Sequence, residues 1–311
     1  IYAFIVLKDL DYFPKSLLGH GEMKNMFKDC GYLLSVDLQN LDLTAIVQQI
    51  VDANGLDIKV DDELIDDTFW HTRLNVALQM RISIGIADNP QNNTYRLVHG
   101  EGDNLPGLVI DCYGKTAVVQ AHSVGMHECR MAVAKQLMEV MGERIENVYY
   151  KSETTLPYKA DLGQENGFLF GHATEDVAVE NGLKFHIDWL KGQKTGFFVD
   201  QRDNRSLLEQ YSKGRNVLNM FCYTGGFSVY SMRGGAKLVH SVDSSAKAVD
   251  LVNANIELNF PGDKRHQAYC EDAFKFLDGA DGKYDLMDKV NVSISFTDDT
   301  PRSIVLSETL S

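Results

Sequence analysis

VLNMFCYTGGFSVYSMRGGAKLVHSVD, residues 217–243, is the stretch that decides the fold. Its two apolar runs, VLNMF (217–221) and LVHSVD (238–243), have the length and residue types of buried strands. Between them Thr224, Gly225 and Gly226 form a turn that leads into a helical segment at 226–233. A strand, a glycine turn, a helix and a second strand together predict one parallel βαβ unit. The same alternation extends outward on both sides. NRSLLEQYS (204–212) reads as a helix before the unit, with the strand-like GLKFHIDWL (182–190) further upstream, while 245–258 reads as a helix after it. HQAYCED (266–272) and YDLM (284–287) add two more strands. The predicted fold class is therefore α/β, a doubly wound Rossmann-like domain over about residues 180–311.

Ahead of this domain lies a smaller α+β module, assigned to residues 66–170. Phe69, Leu74, Ala77, Leu78 and Met80 recur at helical intervals behind Asp66 and Asp67, which suit a helix N-terminus. Three strand-like runs follow, TYRLVHGE (94–101), GLVIDCY (107–113) and KTAVVQAH (115–122). A helix is expected over 125–141 and a strand at ENVYYKS (146–152). The Gly-rich, polar stretch DLGQENGFLFGHATED (161–176), within 156–180, reads as a linker. Residues 1–65 give no clear architecture, although LDLTAIVQQIVDANG (41–55) has helical spacing.

The bulk properties narrow the function classes. Five cysteines, an odd number with no CxxC pair, argue against a disulfide framework or a structural zinc, and no metal site is expected. With no apolar run of membrane-spanning length, a cytoplasmic, non-membrane protein is the reading. The net charge of −14 disfavours indiscriminate nucleic-acid binding. Lys191, Lys194, Arg202, Arg205, Lys213 and Arg215 nevertheless cluster just ahead of residue 217, as a local basic face or as a solvated helix face. Self-association is not legible.

The turn at Thr224, Gly225 and Gly226 stands where a ligand meets strand ends and a helix N-terminus. Asp243, at the end of the next strand, occupies the position from which a carboxylate accepts hydrogen bonds from ribose hydroxyls. It is equally suited to capping the helix that begins after Ser244 and Ser245. Asp272, at the third strand end, is placed to accept from an adenine amino group. The turn lacks the GxGxxG that cradles a pyrophosphate, and no GxxxxGK[ST] occurs, so S-adenosylmethionine fits better than a dinucleotide or ATP. A second polar cluster, KGQKTGFFVDQRDNR (191–205), is read as covering the ligand's amino-acid end or guiding substrate phosphates.

Taken together, GQKTGFFVDQRDNR (192–205), VLNMFCYTGGFSVYSMRGGA (217–236) and SVDSSAKAVDLVNANIELN (241–259) resemble the large-subunit rRNA 5-methylcytosine methyltransferase family. The resemblance runs from DDTFWHTRLNVALQMR (66–81) to about residue 286. It implies an N-terminal PUA RNA-binding domain, a central module, a methyltransferase domain and rRNA as partner. Its cofactor loop falls on Phe221, Tyr223, Thr224, Gly225 and Gly226, its ribose acid on Asp243 and its adenine-side acid on Asp272. Its KTGFF-DQR signature puts Lys194, Thr195, Phe197, Gln201 and Arg202 beside cofactor or substrate.

Both ends depart from the family. After YDLM the pattern calls for Asp-Pro-Pro and an aromatic, whereas Asp288-Lys289-Val290 stands here, and no cysteine follows Cys270. Carbon-5 of cytosine becomes nucleophilic only once a thiolate adds at carbon-6, so no catalytic residue is assigned. Cys222 and Cys270 lie in or beside predicted buried strands and read as inert core thiols. A cofactor- or RNA-binding module without chemistry is the second reading.

Overall fold

The computed structural model describes residues 64–156, 165–172, 176–280 and 283–287 in full, and the backbone of strands at 2–5, 34–37, 288–292 and 304–308. It forms two compact units, one of residues 1–84, 97–110 and 116–172, the other of 85–96, 111–115 and 173–311. The helical spacing noted at 41–55 falls outside the described residues.

In the first unit β1 (Tyr2–Ile5) pairs antiparallel with β2 (Leu34–Asp37). Helix α1 (Asp67–Ser83) starts where Asp66 caps it, its Oδ1 accepting from the Phe69 amide at 3.0 Å. A five-stranded sheet, of which residues 97–99, 108–110, 116–121, 147–150 and 167–170 belong to this unit, is built from β3 (Thr94–His99), β4 (Leu108–Tyr113), β5 (Thr116–Ala121), β6 (Asn147–Tyr150) and β7 (Gly167–Phe170), in that spatial order. Between β5 and β6 run α2 (Val124–Glu128) and α3 (Arg130–Met141). Trp70, Leu74 and Leu78 of α1 and Val133, Leu137 and Met141 of α3 are buried in this unit's core. The stretch expected to be a linker instead supplies β7, which pairs antiparallel with β6, and the strand that follows it.

The second unit opens with an antiparallel hairpin, β8 (Val177–Glu180) and β9 (Leu183–His186). Asn181 and Gly182 turn it, with φ of 49° and 78°. That two-residue turn with both φ positive matches the twist of the flanking strands. Thus GLKFHIDWL is one arm of a hairpin, and its strand ends at His186.

Next come α4 (Arg202–Tyr211), β10 (Asn216–Met220), α5 (Gly226–Arg233), β11 (Leu238–Asp243), α6 (Ala246–Asn259), β12 (His266–Cys270), α7 (Ala273–Asp278), β13 (Leu286–Val292) and β14 (Ile304–Glu308). The strands form one parallel sheet in the order β12-β11-β10-β13-β14, the predicted Rossmann-like architecture. Both faces of central strand β10 are covered: Val217 and Leu218 are fully buried, and the buried Asn219 accepts a hydrogen bond from Ser228. Leu218, Met220, Val242 and Ala273 form a core cluster flanked by Tyr269, Phe276 and Met287. The residues beyond 287 extend β13 and add β14.

Candidate functional site

At the carboxyl ends of β10 and β11, in the second unit, lies a cleft of about 660 Å³. That volume is in the range of small-molecule sites. The loop after β10 forms one wall under unusual backbone constraint, because Phe221 and Tyr223 hold φ of 55° and 46°. The left-handed region is uncommon for bulky side chains and marks a segment fixed by its surroundings. Asp243 supplies part of that fixing. Its Oδ2 accepts from the Tyr223 amide at 3.1 Å and its Oδ1 from the Ser245 amide at 2.9 Å. Each carboxylate oxygen can accept a second hydrogen bond, so the cleft side remains able to receive a diol. The helix cap proper is Ser245, whose side chain accepts from the Ala248 amide.

Tyr223 joins the loop to the 191–198 segment. Its hydroxyl accepts from the Gln193 amide at 3.0 Å and donates to the Gly196 carbonyl at 3.1 Å, while its ring meets Phe198 edge-on. Burial, the largest influence, pushes this phenol up to about 12, so it stays protonated. Gly225 is required by packing as well as by its φ of 73°: a Cβ there would stand 2.1 Å from Cγ2 of Val252 on α6. At Gly226 a Cβ would come within 3.0 Å of Cδ of Arg205. Close approach to the next helix and to an arginine, rather than to a ligand alone, accounts for the glycine pair.

Of the residues singled out in the sequence, Phe221, Tyr223, Thr224, Gly226, Asp243 and Gln201 line the cleft. Gly225, Asp272, Lys194, Thr195, Phe197 and Arg202 do not. Asp272 caps α7, its Oδ1 accepting from the Phe274 and Lys275 amides at 3.1 Å each. Thr195 is buried and donates to Asp111 Oδ2 at 2.6 Å, and Tyr113 shares its hydroxyl at 2.8 Å. Lys194 Nζ lies 4.9 Å from the Phe198 ring centre. Phe197 packs against Phe185 with ring centres 5.1 Å apart. The cleft also takes in Asp188, Phe227, Ser244 and Lys247, which sequence reading did not assign to the ligand, and Lys191 and Phe198 of the 191–205 segment.

The basic cluster ahead of residue 217 is not one face. Arg205 is buried, with Nε and Nη2 each 2.8 Å from a Glu180 oxygen. Arg202 is partly buried, forms an ion pair with Glu180 at 3.4 Å and donates to the Thr94 carbonyl. Lys191, Lys194 and Lys213 are the exposed members.

The two thiols differ. Cys222 lines the cleft but is buried, and burial first, then Asp243, pushes it up to about 12. Cys270, read as a core thiol, is exposed, because β12 is the edge of the sheet. Among the described residues no group of three or more His, Cys, Asp or Glu is placed to hold a metal ion, and no helix is long and apolar enough to cross a membrane.

Comparison with known proteins agrees with this architecture. A family model described as S-adenosylmethionine-dependent methyltransferase matches residues 129–297, more than half of the chain. Ribosomal RNA large subunit methyltransferase I of Alteromonas mediterranea is 39% identical over 217 residues, covering 70% of this chain and 54% of that protein. The protein of the same name from Erwinia tasmaniensis is 38% identical over 218 residues, with coverages of 70% and 54%. The chain thus spans about half the length of the curated relatives it matches. Among solved structures, a Streptococcus mutans chain assigned as a SAM-dependent methyltransferase has a TM-score of 0.65 at 25% identity, covering 75% of this chain and 60% of that one. Another, assigned as a methyltransferase and complexed with SAH, has a TM-score of 0.66 at 25% identity, with coverages of 76% and 60%. The chain belongs to the S-adenosylmethionine-dependent methyltransferase family.

Proposed function

We propose that the cleft at the ends of β10 and β11 holds S-adenosylmethionine and that the chain serves methylation of large-subunit rRNA in the cytoplasm, with 5-methylcytosine as product. One observation carries the cofactor reading. The loop Phe221–Gly226 and the carboxylate of Asp243 open on a single cleft, as a nucleoside with an aliphatic tail requires. In this reading Asp243 receives the ribose hydroxyls, and Phe221, Tyr223, Thr224 and Gly226 surround the rest, with Gln201 opposite. Gly225 acts through packing. Lys194, Thr195, Phe197 and Arg202 shape the wall from behind, and Asp272 organises α7 beside it. The rRNA substrate follows from the names of the relatives and the matching motifs. In this reading residues 66–170 are a central module and 180–311 the cofactor domain, with the family's PUA domain corresponding to the region ahead of residue 66.

Incubation with tritium-labelled S-adenosylmethionine and large-subunit rRNA, followed by nucleoside analysis, tests the whole proposal; label on any nucleoside but 5-methylcytidine refutes the product assignment. One observation favours a second outcome. Cys222 is the sole cysteine lining the cleft, and its thiol stays protonated at neutral pH, while no cysteine follows Cys270. Cofactor binding in calorimetry without transfer of label identifies a binding module without chemistry.

A further inference from the structure

We infer that Asp111 and Tyr113 are positioning residues for the ligand of this cleft: through Thr195 and Phe197 they fix the strap 191–198 that forms one of its walls. The inference rests on the S-adenosylmethionine reading of the cleft and names what sets the place of that wall.

The strap has no regular secondary structure, and Lys191, Gly192, Gln193 and Phe198 from it line the cleft. Its backbone holds positive φ at Lys194 (48°) and Gly196 (121°). Such a course persists only where the surroundings fix it. On the cleft side Tyr223 does so, at the Gln193 amide and the Gly196 carbonyl. The approach there is close, since a Cβ on Gly192 would stand 2.6 Å from the Tyr223 hydroxyl. Thr195 and Phe197 are held from elsewhere.

Asp111 and Tyr113, at the end of β4, hold them, and all the residues concerned belong to the second unit. Asp111 is fully buried. Its Oδ1 accepts from Arg96 Nε at 2.8 Å, and its Oδ2 accepts from Arg96 Nη2 at 3.0 Å and from Thr195 Oγ1 at 2.6 Å. Because the Thr195 hydrogen goes to the carboxylate, Tyr113 is the donor in its 2.8 Å contact with Thr195 Oγ1. The same hydroxyl lies 3.2 Å from the Phe197 carbonyl, so one phenol hydrogen serves two strap residues. Burial first, then Asp111, raises this phenol well above its usual value and keeps that hydrogen in place. A buried ion pair adds little stability over an apolar filling of the same volume, and here its worth lies in specifying one arrangement. That arrangement is the course of the strap. Asp111 and Tyr113 grip it at Thr195 and Phe197, Tyr223 grips it at Gln193 and Gly196, and the wall stands between the two grips.

The test uses the full chain and the pair Thr195→Val and Thr195→Ser, of which only the second keeps a hydroxyl. Thr195→Val removes the bond to Asp111 and the acceptor of Tyr113 at once. Calorimetry should find S-adenosylmethionine bound about 5- to 30-fold more weakly by Thr195→Val and by Tyr113→Phe, with Thr195→Ser within about threefold of the unmodified protein. Trp189 gives a reading that needs no ligand. Its amide nitrogen stands 2.9 Å from the place of a Gly196 Cβ, its side chain is buried, and in a Trp70→Phe background it is the sole tryptophan. Acrylamide quenching of its emission should rise in Thr195→Val and Tyr113→Phe and return in Thr195→Ser.

Lower unfolding midpoints with affinity and quenching unchanged would reduce both residues to core packing and overturn the inference. Binding by Thr195→Ser as weak as by Thr195→Val overturns it too, as does quenching that rises while affinity stays the same. Where Tyr113→Phe does not fold, the two Thr195 variants decide. If the unmodified protein binds no S-adenosylmethionine, the cofactor reading falls, and Trp189 quenching alone then decides whether Asp111 and Tyr113 hold the strap.

Discussion

Asp243 holds two backbone amides twenty and two residues away, so its removal disturbs the loop as well as any ligand. Asp243→Ala is expected to weaken S-adenosylmethionine binding by roughly 1–3 kcal/mol, measured by calorimetry; unchanged affinity would sink the site assignment. Gly225 and Gly85 separate two reasons for glycine. Both have φ of 73°, but Gly85 has open space around its Cβ position whereas Gly225 faces Val252. Gly85→Ala should cost on the order of 1 kcal/mol and Gly225→Ala roughly 2–4 kcal/mol in denaturant unfolding. Similar losses in the two variants would show that Val252 moves aside freely. The thiols also order themselves. Under brief alkylation at neutral pH, peptide mapping should find Cys270 labelled well before Cys222, whose proton is held to about 12.

At this scale the place of Asp243 on the cleft was legible because it stands at a strand end, and strand ends follow from apolar runs. Arg205 stood in the basic cluster and in the 191–205 segment, but its ion pair with Glu180, twenty-five residues away, was not legible, because β8 had been read as part of a linker. Cys270 was misjudged because burial depends on a strand's place in the sheet, which periodicity does not report.

Among elements, the βαβ unit at 217–243 emerged as predicted, helix limits included, because its runs are long and bounded by glycine. The β8–β9 hairpin carried a signal that was passed over. Asn181-Gly182 is the dipeptide that best seeds such a turn, but the flanking arms are only four residues each. The hairpin matters because it delivers Glu180. Glu180→Gln leaves Arg202 and Arg205 buried with a neutral partner and is expected to destabilise the fold by about 3–5 kcal/mol in chemical denaturation. A loss below about 1 kcal/mol would mean that the arginines find other partners.

For the whole molecule, acid sensitivity concentrates in the sheet of the second unit. His266 accepts or donates at Ser241 Oγ, 2.8 Å away, and Ser241 in turn meets Ser228, which donates to Asn219 Oδ1 at 2.9 Å. Since Ser228 gives its proton to Asn219, Ser241 must donate to Ser228, and His266 Nε2 must carry a hydrogen. Burial, with His240 nearby, lowers this imidazole to about 4. The unfolded chain then takes up a proton that the folded chain refuses. Its contribution is complete above the ordinary histidine range near 6.5 and is lost as pH falls from there toward 4. His266 is partly exposed, so the loss should be on the order of 2 kcal/mol. Urea unfolding at pH 7 and pH 5 checks it, with His266→Gln expected to flatten the slope; an unaltered slope would assign it to other groups.

The strand order has a consequence for synthesis. Central strand β10 meets β11 almost at once, but its other neighbour, β13, begins only at Leu286. On a ribosome adding residues in sequence, one flank of this central strand waits with its amides and carbonyls open until that late segment emerges. Such an edge invites wrong partners, and pairings distant in the chain are slow to form. The nascent chain is therefore most in need of a chaperone during the interval between β12 and β13.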